Sequence, residues 1–79
     1  MATPTKEADW AERARRFLKV EMKRAGVTYA ELATRLKAHG LEETEASITS
    51  KLGRGTFAAT FFLATLAALE LEGVKLEDI

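Results

Sequence analysis

Few residues in this sequence could perform catalytic chemistry. There is one histidine, His39, and no cysteine, so disulfides and thiolate metal sites are excluded. His39 falls in a predicted turn, where a lone imidazole is more often solvated than bound to a metal. Ser47, Thr49 and Ser50 have no neighbouring base in the sequence to activate a hydroxyl. We therefore expect a protein that is not an enzyme and that holds no metal and no cofactor.

The composition is that of one small globular domain covering residues 1–79. Hydrophobic residues make up 47% and charged residues 30%, which is ordinary for a folded chain. The start of the chain has no apolar signal segment. The longest apolar stretch, Phe57 to Leu71, is interrupted by polar residues and shorter than the roughly 20 residues of a membrane span. We expect a cytoplasmic protein with no membrane partner.

The net charge is zero, but the charges are unevenly distributed. Residues 1–39 contain nine Lys or Arg against five Asp or Glu, and residues 40–79 contain three against seven. Such asymmetry is typical of a chain with a basic binding face. It is equally compatible with two halves that attract each other, and the sequence leaves both interpretations open.

Caps and periodicity predict the first two helices. In helix 1, about Thr5 to Ala25, apolar residues recur at helical spacing and a second arc is basic. Gly26 follows where a left-handed C-cap is expected. Helix 2 starts at the capping box Thr28-x-x-Glu31 and ends near Ala38.

Helix 3 is predicted from Thr44, a good capping residue, to about Leu52, with Gly53 ending it. Its apolar side is narrow, with Ile48 and Leu52 one turn apart. Small side chains lie opposite, and they would let the helix approach another molecule closely. These residues are Ala46, Ser47 and Ser50.

Helix 4 is predicted to start near Thr56 and to end before Gly73. Twelve of the fifteen residues at 57–71 are apolar, and a helix that is apolar all round must be buried all round. We expect one arc in the core and part of the other in a homodimer contact, which would offset a small core. The alternative is a central helix wrapped by its own domain. The predicted dimer residues are Phe57, Phe61 and Leu71. The tail, residues 74–79, is compatible with a fifth helical turn or an extended piece.

Several short motifs follow one another in a characteristic order. They are Thr28-x-x-Glu31-Leu32-Ala33-x-x-Leu36 in helix 2, Ser47-Ile48-Thr49 in helix 3 and Arg54-Gly55 after it. This order resembles that of lambda-repressor-like DNA-binding domains. The wider pattern, from Phe17-Leu18-Lys19 through Arg54-Gly55-Thr56-Phe57, resembles a family of short bacterial domains of unknown function.

The resemblance implies an all-α, four-helix helix-turn-helix domain that acts as a bacterial transcriptional regulator on double-stranded DNA. Helix 3 would enter the major groove. The residues facing base edges would be Thr44, Ala46, Ser47 and Ser50. Phosphates would be met by Lys51 and Arg54, and by the helix starts at Thr28, Tyr29 and Thr56.

A second hypothesis is a non-enzymatic protein–protein interaction module that forms a homodimer or binds an acidic partner. Acidic residues crowd the start of helix 3, where they stabilise the helix dipole but repel phosphate. They are Glu42, Glu43 and Glu45. The segment from Lys37 to Glu43 is also longer than the turn of lambda-repressor-like domains.

Glu21 lies within the apolar arc of helix 1. A buried carboxylate must be paired or hydrogen-bonded. We predict a structural ion pair with Arg35, with Lys51 and Arg54 as the other candidate partners.

Overall fold

The computed structural model describes residues 3–79, and these form four α-helices. The helices are α1 (Glu7–Ala25), α2 (Tyr29–Lys37), α3 (Glu45–Arg54) and α4 (Ala59–Ala68), followed by a 3₁₀ turn at Leu76–Asp78. No strand occurs within residues 3–79. The prediction of an all-α fold is confirmed, and the tail adds one 3₁₀ turn rather than a fifth α-helix.

The junction between α1 and α2 follows its sequence signals. Gly26 adopts a left-handed conformation, with φ of 68°, and the amide of Val27 donates to the carbonyl of Met22 at 3.0 Å. The Thr28 hydroxyl then accepts from the amide of Glu31 at 3.1 Å, and the carboxylate of Glu31 accepts from the amide of Thr28. Both bonds of the predicted capping box are therefore formed. At its other end α1 begins after Lys6, without a side-chain cap, so the predicted start at Thr5 is two residues early.

The end of α3 differs from the prediction. The helix continues through Gly53 to Arg54, and Gly55 forms the left-handed C-cap, with φ of 74°. Gly55 is buried against α1, where a Cβ atom would overlap the carbonyl oxygen of Ala11. This close approach requires glycine at residue 55. Because α3 continues to Arg54 and is capped by Gly55, the predicted helix end at Gly53 is wrong.

Helix α4 is shorter than predicted at both ends. Residues 55–58 form a non-helical connection, so α4 starts at Ala59 and not at Thr56. At the other end Glu70 takes a positive φ of 61°, and the amide of Leu71 donates to the carbonyl of Leu66 at 2.9 Å. A non-glycine residue thus reverses the chain well before Gly73.

The core lies where α3 packs against α1 and α2 and where α4 packs against α2. Its largest fully buried hydrophobic side chains are Leu18, Leu32, Leu36, Ile48, Leu52 and Phe61. Phe61 is 1% exposed, so its assignment to a dimer interface is wrong. Phe57 and Leu71 are half-buried against the core. Leu63, on the same helix, is 62% exposed.

The chain after α4 turns back along α1. A guanidinium nitrogen of Arg13 donates to the carbonyl of Ile79 at 3.4 Å, and Leu71 and Val74 pack against the core. The acidic end of the chain thus lies beside the basic first helix. Within residues 3–79, no helix combines the length and apolarity needed to cross a membrane.

Candidate nucleic-acid interface

Helix α3 presents one side to the core and the opposite side to solvent. Ile48 and Leu52 are fully buried between the helices. The residues at helical spacing on the other side are exposed, and all have small side chains or none. They are Ala46, Thr49, Ser50 and Gly53. We call these four residues the α3 face.

The first turn of α3 is held by a second capping box. The amide of Ser47 donates to the Thr44 hydroxyl at 3.0 Å, and the amide of Thr44 donates to the Ser47 hydroxyl at 2.8 Å. The Ser47 hydroxyl also lies 2.7 Å from the carboxylate of Glu43, to which it donates. Both hydroxyls fix the helix start, so the structure does not support the predicted contacts of Thr44 and Ser47 with base edges.

Lys51 and Glu43 form an ion pair across the start of α3. Their charged atoms, Nζ and Oε2, are 2.5 Å apart, and the Glu43 side chain is 9% exposed. The ammonium also lies 4.9 Å from the centre of the Phe61 ring, at cation–π distance. A phosphate contact by Lys51 would require this pair to break, so the structure does not support that predicted role.

The pKa of Glu43 reflects these contacts. Burial raises it, but the hydrogen bonds from Lys51 and Ser47 and the charge of Lys51 act in the other direction, and the net effect is a pKa below the ordinary value of 4.5. The Glu43 carboxylate is therefore ionised at neutral pH, and the ammonium of Lys51 neutralises its charge. Of the three acidic residues at the start of α3, Glu43 is thus paired and largely shielded from solvent.

Arg54 is an exposed cation at the C-terminal end of α3. It lines a cleft with Thr56, and the α1 residues that line the same cleft include Glu7, Glu12 and Arg15. Arg15 forms an ion pair with Glu12. Of the two cations predicted to meet phosphate, Arg54 is thus the one that the structure leaves exposed.

Three residues at two helix starts were predicted to bind phosphate, and the structure places them differently. Thr28 is exposed at the N-cap of α2, and Tyr29 follows as the first helical residue, half-buried against the core. Thr56 is exposed but lies three residues before α4. The prediction of a helix start at Thr56 is therefore wrong, whereas Thr28 and Tyr29 lie where it placed them.

The predicted ion pair between Glu21 and Arg35 is absent. Glu21 pairs with Arg24 on its own helix, with 3.1 Å between the charged atoms. Arg35 instead donates to the carbonyl of Ala68 at 2.9 Å. The last carbonyls of a helix have no partner within it, so the Arg35 guanidinium caps α4 and ties it to α2.

The remaining charges around the α3 face are mixed. Glu42 and Glu45 are exposed at its N-terminal end, and Arg54 is exposed at the other end. His39 is exposed in the preceding turn. In the part of the chain that the structure describes, no three His, Cys, Asp or Glu residues are grouped so as to hold a metal ion.

Two members of the α3 face were not among the predicted contact residues. Thr49 and Gly53 are spaced three and seven residues from Ala46, which is the spacing of one helix side. That spacing identifies Thr49 within the predicted helix, and it identifies Gly53 because α3 continues past Leu52. The role of Glu43 had no such signal, because its partner Lys51 is eight residues away, across the helix start.

A family model matches residues 10–74, and its description is a domain of unknown function, DUF6471. The chain belongs to this family. The matched residues begin within α1, include α2, α3 and α4 entirely, and end at Val74. No curated protein and no solved structure matches the chain.

Proposed function

We propose that this DUF6471 domain binds double-stranded DNA through the α3 face, as the helix-turn-helix domain of a bacterial transcriptional regulator. The proposal rests on the difference between the two sides of α3. One side is buried by Ile48 and Leu52, and the other exposes only small side chains before an exposed Arg54.

The chemistry of the α3 face suits a major groove. Small side chains let the helix backbone come close to base edges, and the Ser50 hydroxyl can donate to or accept from them. The Arg54 guanidinium would pair with a phosphate and fix the position of the helix on the duplex. At the start of α2 the amide of Thr28 already donates to the Glu31 carboxylate, so a second phosphate contact there would fall to the amide of Tyr29.

Fluorescence anisotropy with a labelled mixed-sequence duplex tests this proposal. We expect binding at low salt that weakens steeply as salt increases, because phosphate contacts release counterions. Arg54→Ala should weaken binding to all sequences and reduce the salt slope by about one. Ser50→Glu should weaken it further, since it places a negative charge on the α3 face.

Arg16→Ala is the matched control, because Arg16 is also an exposed arginine but lies on α1, outside the α3 face. It should leave the duplex affinity nearly unchanged. Absence of binding at low salt would refute the proposal. Equal losses for Arg16→Ala and Arg54→Ala would place the contact elsewhere.

A second candidate function is a homodimeric protein-interaction module. The exposed carboxylates of Glu42 and Glu45 favour it, because they repel phosphate at the start of α3.

Helix α4 contains no charged residue, and its exposed positions include Ala59, Leu63 and Ala67. We place a dimer contact on these three residues instead of Phe61. Sedimentation equilibrium should then show a dimer that Leu63→Lys dissociates; a wild-type monomer would exclude it.

A further inference from the structure

A recess lies between the first half of α1 and the chain that leads into α4. Its volume is about 450 Å³. Three aromatic side chains line it, namely Trp10, Phe57 and Phe62, and most of the other lining residues are alanine or glycine. The only lining residues with polar side chains besides Trp10 are Glu7 and Thr56, and no residue of the α3 face takes part. We call this surface the Trp10 recess.

The aromatic rings of the Trp10 recess differ in how far they are already engaged. Phe57 and Phe62 are half-buried, and their rings stack at an angle of 9° with 6.3 Å between their centres. Trp10 is 37% exposed and has no aromatic partner within residues 3–79. The face of a tryptophan ring attracts a cation more strongly than that of any other aromatic side chain. The indole of Trp10 is therefore open to such a contact.

Glu7 is the one charged residue that lines the Trp10 recess. Within residues 3–79 its carboxylate has no hydrogen bond and no ion pair. Glu7 also borders the neighbouring cleft of Arg15 and Arg54, but neither arginine lines the recess, and Arg15 is paired with Glu12. The charge of the recess is thus a single carboxylate, and no cation within it offsets that charge.

We propose that the Trp10 recess binds an arginine side chain of a partner protein. Glu7 and Trp10 are three residues apart on α1, so their side chains are neighbours on one side of the helix. A guanidinium can stack on the indole and donate two hydrogen bonds to the carboxylate in the same position. The aliphatic stem of the arginine would cover the alanines of the recess. A lysine ammonium lacks both the flat face and the paired donors.

The charge of the recess selects this occupant. Any group that covers the recess also removes water from the Glu7 carboxylate, and that cost is offset only by a cation or a hydrogen-bond donor. A purely apolar side chain would leave the carboxylate without a partner. A phosphate or another carboxylate would be repelled, because no cation lines the recess.

The Trp10 recess and the α3 face are separate surfaces. The recess shares Glu7 and Thr56 with the cleft of Arg54 but shares no residue with the α3 face. The proposal therefore goes beyond DNA binding and does not depend on it. A DUF6471 domain that fails to bind a duplex can still bind the arginine of a partner.

The probe is a capped synthetic tripeptide with leucine on both sides of an arginine. Trp10 is the only tryptophan in the chain, so its fluorescence reports occupation of the recess directly. We expect a saturable change in Trp10 emission when the peptide is added to wild-type protein. The same peptide with citrulline keeps the shape of arginine without its charge, and it should bind about threefold or more weakly.

Glu7→Gln should weaken the arginine peptide by about threefold or more and leave the citrulline peptide nearly unchanged. Asp9→Asn is the matched control, because Asp9 is also an exposed acid in the first turn of α1 but does not line the recess. It should keep the affinity within about twofold. Circular dichroism checks that both variants fold.

Four results would overturn the proposal. They are a Trp10 emission that the arginine peptide leaves unchanged, equal binding of the citrulline peptide, equal binding of a lysine peptide, and equal losses for Asp9→Asn and Glu7→Gln. Equal binding of the citrulline peptide would show that the recess takes an uncharged side chain. Equal losses for the two variants would show that the net charge of the first turn, and not the Glu7 carboxylate, attracts the peptide.

Discussion

The contacts of Glu43 reduce the negative charge that the start of α3 presents to solvent. From the sequence alone Glu43 is one of three acids that would repel DNA. In the structure its carboxylate accepts hydrogen bonds from Lys51 and Ser47 and is almost fully covered. The predicted repulsion therefore comes only from Glu42 and Glu45, and the predicted phosphate contact of Lys51 is replaced by a structural role.

The lowered pKa of Glu43 makes stability depend on pH. Because the folded-state pKa lies below the unfolded-state value, near 4.5, the carboxylate stabilises the fold above that pH. This contribution is lost as the pH falls through 4.5 and then through the folded-state pKa. Urea denaturation should therefore show a steeper loss of unfolding free energy between about pH 6 and about pH 3 in wild type than in Glu43→Gln.

At neutral pH, Glu43→Gln should lower the free energy of unfolding by about 1–2 kcal/mol, since it leaves Lys51 without its charged partner. The control is Glu42→Gln, which removes an exposed carboxylate and should change stability by less than about 0.5 kcal/mol. Identical pH dependence in wild type and Glu43→Gln would contradict this account.

At the scale of the elements, the contact between α3 and α1 depends on Gly55. This glycine has a positive φ and lies against the backbone of Ala11. Gly53, two residues earlier, is inside α3 and has open space around it. The same substitution should therefore have opposite effects at the two positions.

Gly55→Ala should destabilise the protein by about 3 kcal/mol or more, because it combines a strained φ with an overlap against fixed backbone. Gly53→Ala should stabilise it by about 0.5 kcal/mol, since glycine inside a helix costs conformational entropy. Thermal denaturation of both variants measures the difference. A stable Gly55→Ala protein would show that α1 and α3 do not pack as closely as described.

The elements also show which features the sequence could predict. The turn between α1 and α2 was predictable because its signals, Gly26 and the Thr28 capping box, act locally. The ends of α4 were not, because a helix without charges has no polar side to define its register, and Glu70 reverses the chain without glycine. The predicted ion pair between Glu21 and Arg35 does not form, because each side chain has another partner in the fold. Glu21 pairs with Arg24 on its own helix, and Arg35 donates to the carbonyl of Ala68 at the end of α4.

For the candidate site, the sequence predicted the exposed side of α3 only in part. Ala46 and Ser50 are exposed as predicted, whereas Thr44, Ser47 and Lys51 are engaged in holding the helix start. Polar side chains near a helix N-terminus serve equally well as caps or as contacts, and only the folded arrangement distinguishes the two roles.

At the scale of the whole molecule, a net charge of zero conceals two different surfaces. The basic stretch of α1 borders an apolar groove, and the acidic tail lies along it. The α3 face lies apart from that groove, between exposed carboxylates and Arg54. The acidic tail thus lies beside the basic first helix, and α1 still has cations exposed to solvent; that these cations form a binding face stays a prediction.

The location of DNA binding is the most direct test of the proposed function. Isotope-labelled protein would be titrated at low salt with a short duplex, and amide chemical shifts would be followed by NMR. We predict shifts concentrated at Ala46, Ser50 and Arg54, with the amides of Val20 and Val74 unaffected. No shifts, or shifts confined to α1 and the tail, would contradict the proposal that α3 binds DNA.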